Sequence, residues 1–334
     1  MSSATRRGHR DGTVDLFASS GPVDAMGEAF GWAIPRGLVP ISRWSSPKAE
    51  FFLFEEEPQG RRLVVKAGTN WTPRDPEFVF QELLRLGSVV ADLGVTVPKP
   101  LGWLADPPLV AMEAVTGDQL FNRVIPDRSH EAWANGLPGI LNLVRKCGQV
   151  LAAYHAVQPA PVDPTVATAI RTDLRRAAVR GLVSPRLAAS RASGLVWARG
   201  FRFSANDFLV ARDRLIVVDP PHLMKFDIVQ RDLSAFTFEV QKALRASGEK
   251  QEGAALAASI TEAFIAAYVE GSAPRPDPNF DSWALHFYEL SRISGMIYNQ
   301  IQARKFGGAV STLSWALKMR VELGWRGGRT PNRA

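Results

Sequence analysis

The chain changes its hydrophobic period once, and that change limits what it can fold into. Up to about residue 115 the apolar residues gather in short runs dense in Val, Leu, Ile and Phe; beyond Thr116-Gly117 they return every three or four residues over long stretches. Short runs bounded by turn residues specify strands, and the longer recurrence specifies helices. Strands first and helices afterwards predict an α+β chain, not alternating βαβ units. Strands are expected over Gly37 to Arg43, Ala49 to Phe54 and Arg62 to Lys66, with Pro-Gln-Gly at 58–60 turning between the last two. A helix follows: Asp75 is placed to cap it, Pro76 suits its first position, and Phe78, Glu82, Leu83, Leu86 and Val89 recur at helical spacing before Gly94. Two more strands are expected over Pro100 to Leu104 and Leu109 to Ala114.

In the remainder, Gly139 to Val157 predicts a long buried helix, because Leu141, Val144, Cys147, Gly148, Leu151 and Tyr154 share one face. A hairpin is expected at Phe208 to Val210 and Leu215 to Val218, then helices over 228–246, 253–270, 281–304 and 308–323. The aromatic set Trp283, Phe287, Tyr288 and Tyr298 falls on the third of these, mostly as core.

Composition removes several classes. A chain of 334 residues, 46% hydrophobic and 22% charged, is neither disordered nor collagenous, and its single cysteine, Cys147, forms no internal disulfide and reads as a small core residue. No apolar run approaches the roughly 18 residues a membrane span needs, and Met1 to Gly12 has no apolar signal core, so the expected compartment is the cytoplasm. The net charge of +7 sits at the ends. Arg6, Arg7 and Arg10 against Asp11 leave +2 in residues 1–12; Lys318, Arg320, Arg326, Arg329 and Arg333 against Glu322 leave +4 in 318–334; the body keeps 7 − 2 − 4 = +1. The basic ends are an expected docking surface for an acidic protein or peptide, and a near-neutral body without a basic-aromatic stripe predicts no nucleic-acid partner. The expected organisation is a basic lead-in at 1–27, a strand-rich domain at 28–115, a helical domain at 116–324 and a basic tail at 325–334.

A lysine ending an apolar strand, Val64-Val65-Lys66, followed by a helical glutamate, Glu82, is a spacing that lets an ammonium meet phosphate oxygens while a carboxylate orients it; two solvated charges would give the same spacing. The order of elements adds to this pair. Three strands, the last with Lys66, a helix with Glu82, two strands, and then Ala111-Met112-Glu113-Ala114-Val115-Thr116-Gly117 leading into helices resemble the aminoglycoside phosphotransferase and choline kinase-like family. Pro98-Lys99-Pro100-Leu101-Gly102, the Gly148 to His155 stretch and Asp232-Leu233 are similar to further motifs of that family. The resemblance runs from 38 to 240 and implies a two-lobed protein kinase-like fold, with a small N-lobe of five antiparallel strands plus one helix and a larger, mainly helical C-lobe.

It also implies ATP and Mg²⁺ as cofactors and transfer of the γ-phosphoryl group to a hydroxyl. The loop Ser42 to Lys48 would cover the phosphates, with the hydroxyls of Ser45 and Ser46 where glycine is usual. Lys66 would hold phosphate oxygens and Glu82 would orient it. The Glu113 carbonyl and Val115 amide would bond the adenine beside Met112, which serves equally as a core residue. Asp219, ending Leu215 to Val218, would bind Mg²⁺; a capped strand end is its bland alternative.

Upstream, two registers fit the catalytic loop. One sets Asn206 on the family's metal-binding Asn and Arg199-Gly200-Phe201 on its His-Gly-Asp; the other sets Asp207 and Gly200-Phe201-Arg202 there. Either way Phe201 or Arg202 stands where the catalytic aspartate belongs, and neither is a base at neutral pH. Arg202 would then stabilise the transferring charge, and Asp207 would act as a second metal ligand, a displaced base or a turn cap. Asp232 resembles the aspartate that braces the loop; His155 reads as a packed core histidine and His222 as a loop histidine. No acidic cluster marks an aminoglycoside pocket, so a neutral sugar, a small alcohol or a peptide Ser/Thr is an equally fitting acceptor. The alternative is a pseudokinase, a catalytically degraded binding or scaffold subunit of a biosynthetic partner enzyme.

Overall fold

The alternation of residues 49–67 sets the sheet. Ala49, Phe52 and Phe54 on one strand and Leu63 and Val65 on the next are buried, and with Leu109 and Ala111 they form one apolar cluster that Leu38, Ala67, Leu101 and Leu104 border. Each fully buried side chain of this size contributes about 1.5–3 kcal/mol. The computed structural model describes residues 38–46, 49–56, 60–120, 130–156, 168, 197–199, 204–212, 214–219, 226–246, 250–272 and 282–328. The expected lead-in at 1–27, the end of the expected tail and the Pro58-Gln59 step lie outside them.

The chain divides into two units, Met1–Leu84 with Pro98–Val115, and Arg85–Val97 with Thr116–Ala334. The first unit holds an antiparallel sheet of β1 (Leu38–Ser45), β2 (Ala49–Glu56), β3 (Arg61–Gly68), β4 (Pro100–Ala105) and β5 (Pro108–Glu113), in the order β1-β2-β3-β5-β4. The β2–β3 connection needs a left-handed residue, which Gly60 supplies at φ 64°. The first strand runs further than the sequence predicts: Trp44 and Ser45 still pair with Phe51 and Glu50, and the Trp44 ring stacks on Phe51 at 5.4 Å. The expected loop at Ser42 to Lys48 is corrected accordingly, since Ser42 to Ser45 belong to β1.

Helix α1 (Asp75–Val90) follows. Asp75 turns back from the start of the helix: its carboxylate accepts from the Thr72 N–H at 2.5 Å and hydroxyl at 3.0 Å, and so fixes the turn that leads into α1. The far end of α1 belongs to the second unit, where Leu86, Val90 and Val95 enter its core.

That unit contains β6 (Asp118–Gln119), α2 (His130–Ala156), β7 (Trp197–Arg199), β8 (Phe208–Ala211), β9 (Arg214–Val217), β10 (Phe226–Ile228), α3 (Val229–Ala246), α4 (Lys250–Gly271), α5 (Ser282–Gln302) and α6 (Phe306–Gly328). Helix α2 starts nine residues before the expected Gly139 and carries Pro138 inside it, where the ring forfeits one backbone hydrogen bond. Helix α6 runs on to Gly328, past the point where the tail was expected. Strands β6, β8 and β9 form a small sheet, and Thr96 adds to its far edge: the Thr96 N–H donates to the Leu215 carbonyl and the Val217 N–H to the Thr96 carbonyl, both at 2.9 Å. Helices α2 and α4 approach closely through small residues. A Cβ at Gly148 would collide with the Phe264 carbonyl oxygen and lie 3.0 Å from the Tyr268 nitrogen.

Candidate functional site

In the first unit, Lys66 lies on the sheet face opposite Val65, directly across from Phe51 on β2 and Val110 on β5. Its ammonium lies 5.8 Å from the Phe51 ring centre and 5.7 Å from that of Trp71. Two ring faces attract a cation, and the side chain is only 6% exposed. Glu82, on α1, is 2% exposed. Buried charges of both signs are kept only when engaged, and neither residue is without a partner. Sequence reading named Lys66 and Glu82 but not the two rings, Phe51 and Trp71, that lie beside the ammonium. The signal for Phe51 was its strand register; Trp71 carries none, because it packs over Gly68 from beyond the strand end.

Met112, 5% exposed, shares the Lys66 face of the sheet. The Glu113 N–H donates to the Lys99 carbonyl and the Ala114 N–H to the Arg62 carbonyl, each at 2.9 Å. Ala114 is therefore tied to β3, and Val115, part-buried, follows it out of the strand. Ser45 is an exposed residue of β1 opposite Glu50. Ser46 closes the turn to β2: its N–H and hydroxyl donate to the Ala49 carbonyl at 2.8 and 3.2 Å, and its hydroxyl accepts from the Ala49 N–H at 3.1 Å.

In the second unit, Ser204 to Asp207 form a reciprocal cap. The Asp207 carboxylate accepts from the Ser204 N–H at 2.7 Å, and the Ser204 hydroxyl accepts from the Asn206 N–H at 3.2 Å. The turn-cap role of Asp207 is thus present, and its carbonyl also accepts from the Val218 N–H at 2.9 Å. Asn206 is exposed, and Asp219, part-buried, follows directly on Val218. The backbone bond between 207 and 218 thus holds Asn206 and Asp219 at one end of the β8–β9 hairpin. Phe201, Arg202 and His222 lie outside the described residues. Among those described, no group of three or more His, Cys, Asp or Glu forms a metal cage.

Asp232, at the first turn of α3, is 2% exposed and accepts from His155 Nε2 at 3.2 Å, while His155 Nδ1 lies 3.0 Å from the Tyr268 hydroxyl. Sequence placed His155 in the core but did not join it to Asp232. Burial first, and the Asp232 charge second, push the Tyr268 phenol above its ordinary pKa. Burial likewise raises the Cys147 thiol well above its ordinary value, which suits a core residue and not a nucleophile. No described helix is long and apolar enough to cross a membrane.

In sequence, the chain matches no family model and no curated protein. In structure it is similar to a Ralstonia eutropha protein assigned as an aminoglycoside phosphotransferase, with 15% identity and a TM-score of 0.57 over 92% of this chain and 98% of that one. It is also similar to choline kinase from Cryptosporidium parvum, with 11% identity and a TM-score of 0.51 over 92% and 97% of the two chains. At such identities the likeness is one of fold: a five-stranded antiparallel N-lobe and a helical C-lobe give this chain the kinase-like fold of aminoglycoside phosphotransferases and choline kinase.

Proposed function

We propose that this protein is an ATP- and Mg²⁺-dependent phosphotransferase that moves the γ-phosphoryl group to a hydroxyl of a small molecule or of a peptide Ser/Thr. The observation that carries this reading is Lys66: a buried ammonium held beside two ring faces on the third strand, with a buried glutamate, Glu82, on the helix that follows. Lys66 would bind phosphate oxygens and Glu82 would orient it, while the Glu113 carbonyl and Val115 N–H would bond the adenine next to Met112. The Asp219 carboxylate and the Asn206 amide oxygen are hard donors, and Mg²⁺ bound with nucleotide commonly takes one or two protein oxygens and fills its shell with phosphate and water. The donor set therefore fits the ion, which would neutralise phosphate charge.

In the transfer, the acceptor oxygen would form the new bond to the γ-phosphorus, the bond from that phosphorus to the β-phosphate bridging oxygen would break with ADP as the leaving group, and the acceptor proton would pass to Asp207. Asp207 is the nearest carboxylate in sequence to the position that should receive that proton, and its cap bond to Ser204 holds it in place. Arg202 would counter charge on the moving group, so Arg202→Ala should lower transfer without unfolding the protein.

A second reading is favoured by one feature: Phe201 and Arg202 offer no base. It is a catalytically degraded pseudokinase that serves a biosynthetic partner enzyme as a binding or scaffold subunit. Two measurements separate the readings. A ligand at 100 times its Kd stabilises the folded state by about 2.7 kcal/mol, so millimolar Mg-ATP should raise Tm by several degrees, and labelled γ-phosphate should then appear on hydroxyl acceptors. A Tm shift without transfer supports a pseudokinase that still binds nucleotide; no shift defeats the phosphotransferase reading and leaves the scaffold.

A further inference from the structure

Among the described residues, helix α6 presents two apolar faces, of which only one is buried. Ala309, Thr312, Trp315 and Ala316 are buried, Thr312 bonding Gln300 of α5 at 3.0 Å and Trp315 stacking on Phe238. On another side Phe306 is 62% exposed, Val310 68%, Leu313 48% and Leu317 53%. Their 4-3-4 spacing puts all four within about 60° on a helix that turns 100° per residue. Ile301 of α5 joins them. Gln300 and Thr312 face each other across the hairpin, and one step beyond each, in antiparallel helices, turns Ile301 and Leu313 to the same side. At roughly 150–200 Å² per large side chain, the patch exposes on the order of 400–500 Å², as much as the largest patch on an ordinary monomer and a fair core for one side of an interface.

Charge decides what covers it. No Asp or Glu occurs between Leu290 and Val321, whereas Arg304 and Lys305 at one end of the stripe and Lys318 at the other are exposed. A second copy of this chain is disfavoured. The antiparallel register that matches Phe306 to Leu317 and Val310 to Leu313 also sets Lys305 of each copy against Lys318 of the other, and a parallel register sets every lysine against itself. A membrane surface would call for an apolar face at least about 100° wide, and this stripe is narrow, with the a/d spacing of a helix seam. We propose that the α5–α6 hairpin is a docking face for an acidic amphipathic helix of another protein, its apolar a/d residues on the stripe and its carboxylates toward Arg304, Lys305 and Lys318.

The test uses the full chain and a fluorescein-labelled three-heptad peptide with leucine at a and d and glutamate at e and g. Saturable binding is expected at low salt, at least tenfold weaker for the same peptide with lysine in place of glutamate. Binding should weaken at least tenfold again on the Val310→Gln/Leu313→Gln protein, whose Tm should match that of the wild type because both side chains are exposed. Absence of binding, equal binding of the two peptides, or full binding by the variant overturns the proposal. So does retention on phosphatidylserine vesicles without peptide binding, or a dimer in sedimentation that the double variant abolishes.

Discussion

His155 and Asp232 lie 77 positions apart and meet at 3.2 Å, ring nitrogen to carboxylate, with almost no access to water. The contact ties the end of α2 to the start of α3, and the other ring nitrogen reaches Tyr268 on α4. Three helices are thus joined through one imidazole.

Replacing that imidazole should be costly. His155→Phe preserves a ring but leaves Asp232 short of a donor and Tyr268 short of a partner, and breaking a buried polar tie of this kind costs about 2–4 kcal/mol. Urea unfolding measures it through the midpoint; a change below about 0.5 kcal/mol would show that the tie does not brace the unit.

Tyr268 gives a prediction with a defined sign. Its phenol is raised in the folded state, so above the ordinary value near 10 the unfolded chain gives up a proton that the folded chain keeps. The contribution is fully present below pH 10 and is lost as pH rises through the unfolded value toward the folded one. Tyr268→Phe lacks this slope. The wild type should exceed the variant by about 1 kcal/mol at pH 7, with the gap narrowing above pH 10 in parallel unfolding titrations.

Two glycines of α2 should respond oppositely to alanine. At Gly148 a Cβ meets the backbone of α4, whereas at Gly139 nothing lies within 4 Å. Gly148→Ala should destabilise by about 1–3 kcal/mol through overpacking, and Gly139→Ala should stabilise by up to about 1 kcal/mol through helix propensity. Thermal melts of the pair compare directly.

Lys66→Met keeps an unbranched chain between Phe51 and Trp71 but removes the charge. Under the proposed function the Tm rise produced by Mg-ATP should fall below about 1 °C, while Met112→Leu, a swap of similar volume, should retain most of it.

Much of the fold can be read in local pattern. The register of β2 and β3 follows from alternating Phe, Leu and Val, and α1 from the residues around Asp75 and Pro76. Edges are less legible: Trp44 and Ser45 join β1 only because Phe51 and Glu50 lie opposite. The helix expected from Gly139 begins instead at His130 and passes through Pro138. At the candidate site, Lys66 and Asp219 follow apolar runs and Glu82 falls on a helix face, so each carries a local signature, although β3 runs two residues past Lys66 to Gly68. The partners of His155, the ring of Trp71 beside Lys66 and the closeness of Gly148 to Phe264 depend on contacts between distant segments, which no local window encodes.

The bonds from Thr96 to Leu215 and Val217 carry one more consequence. The second unit is discontinuous: Leu86, Val90 and Val95 belong to its core, yet Pro98–Val115 of the first unit separates them from the rest of it. A fragment beginning at residue 116 would lose those three core residues and the strand-edge partner of β9. During synthesis, likewise, Thr96 must wait until the chain 120 residues later (216 − 96) has emerged before its bridge to Ile216 can close. The helical part is therefore not a severable module, and efforts to express it alone should carry residues 85–97 with it.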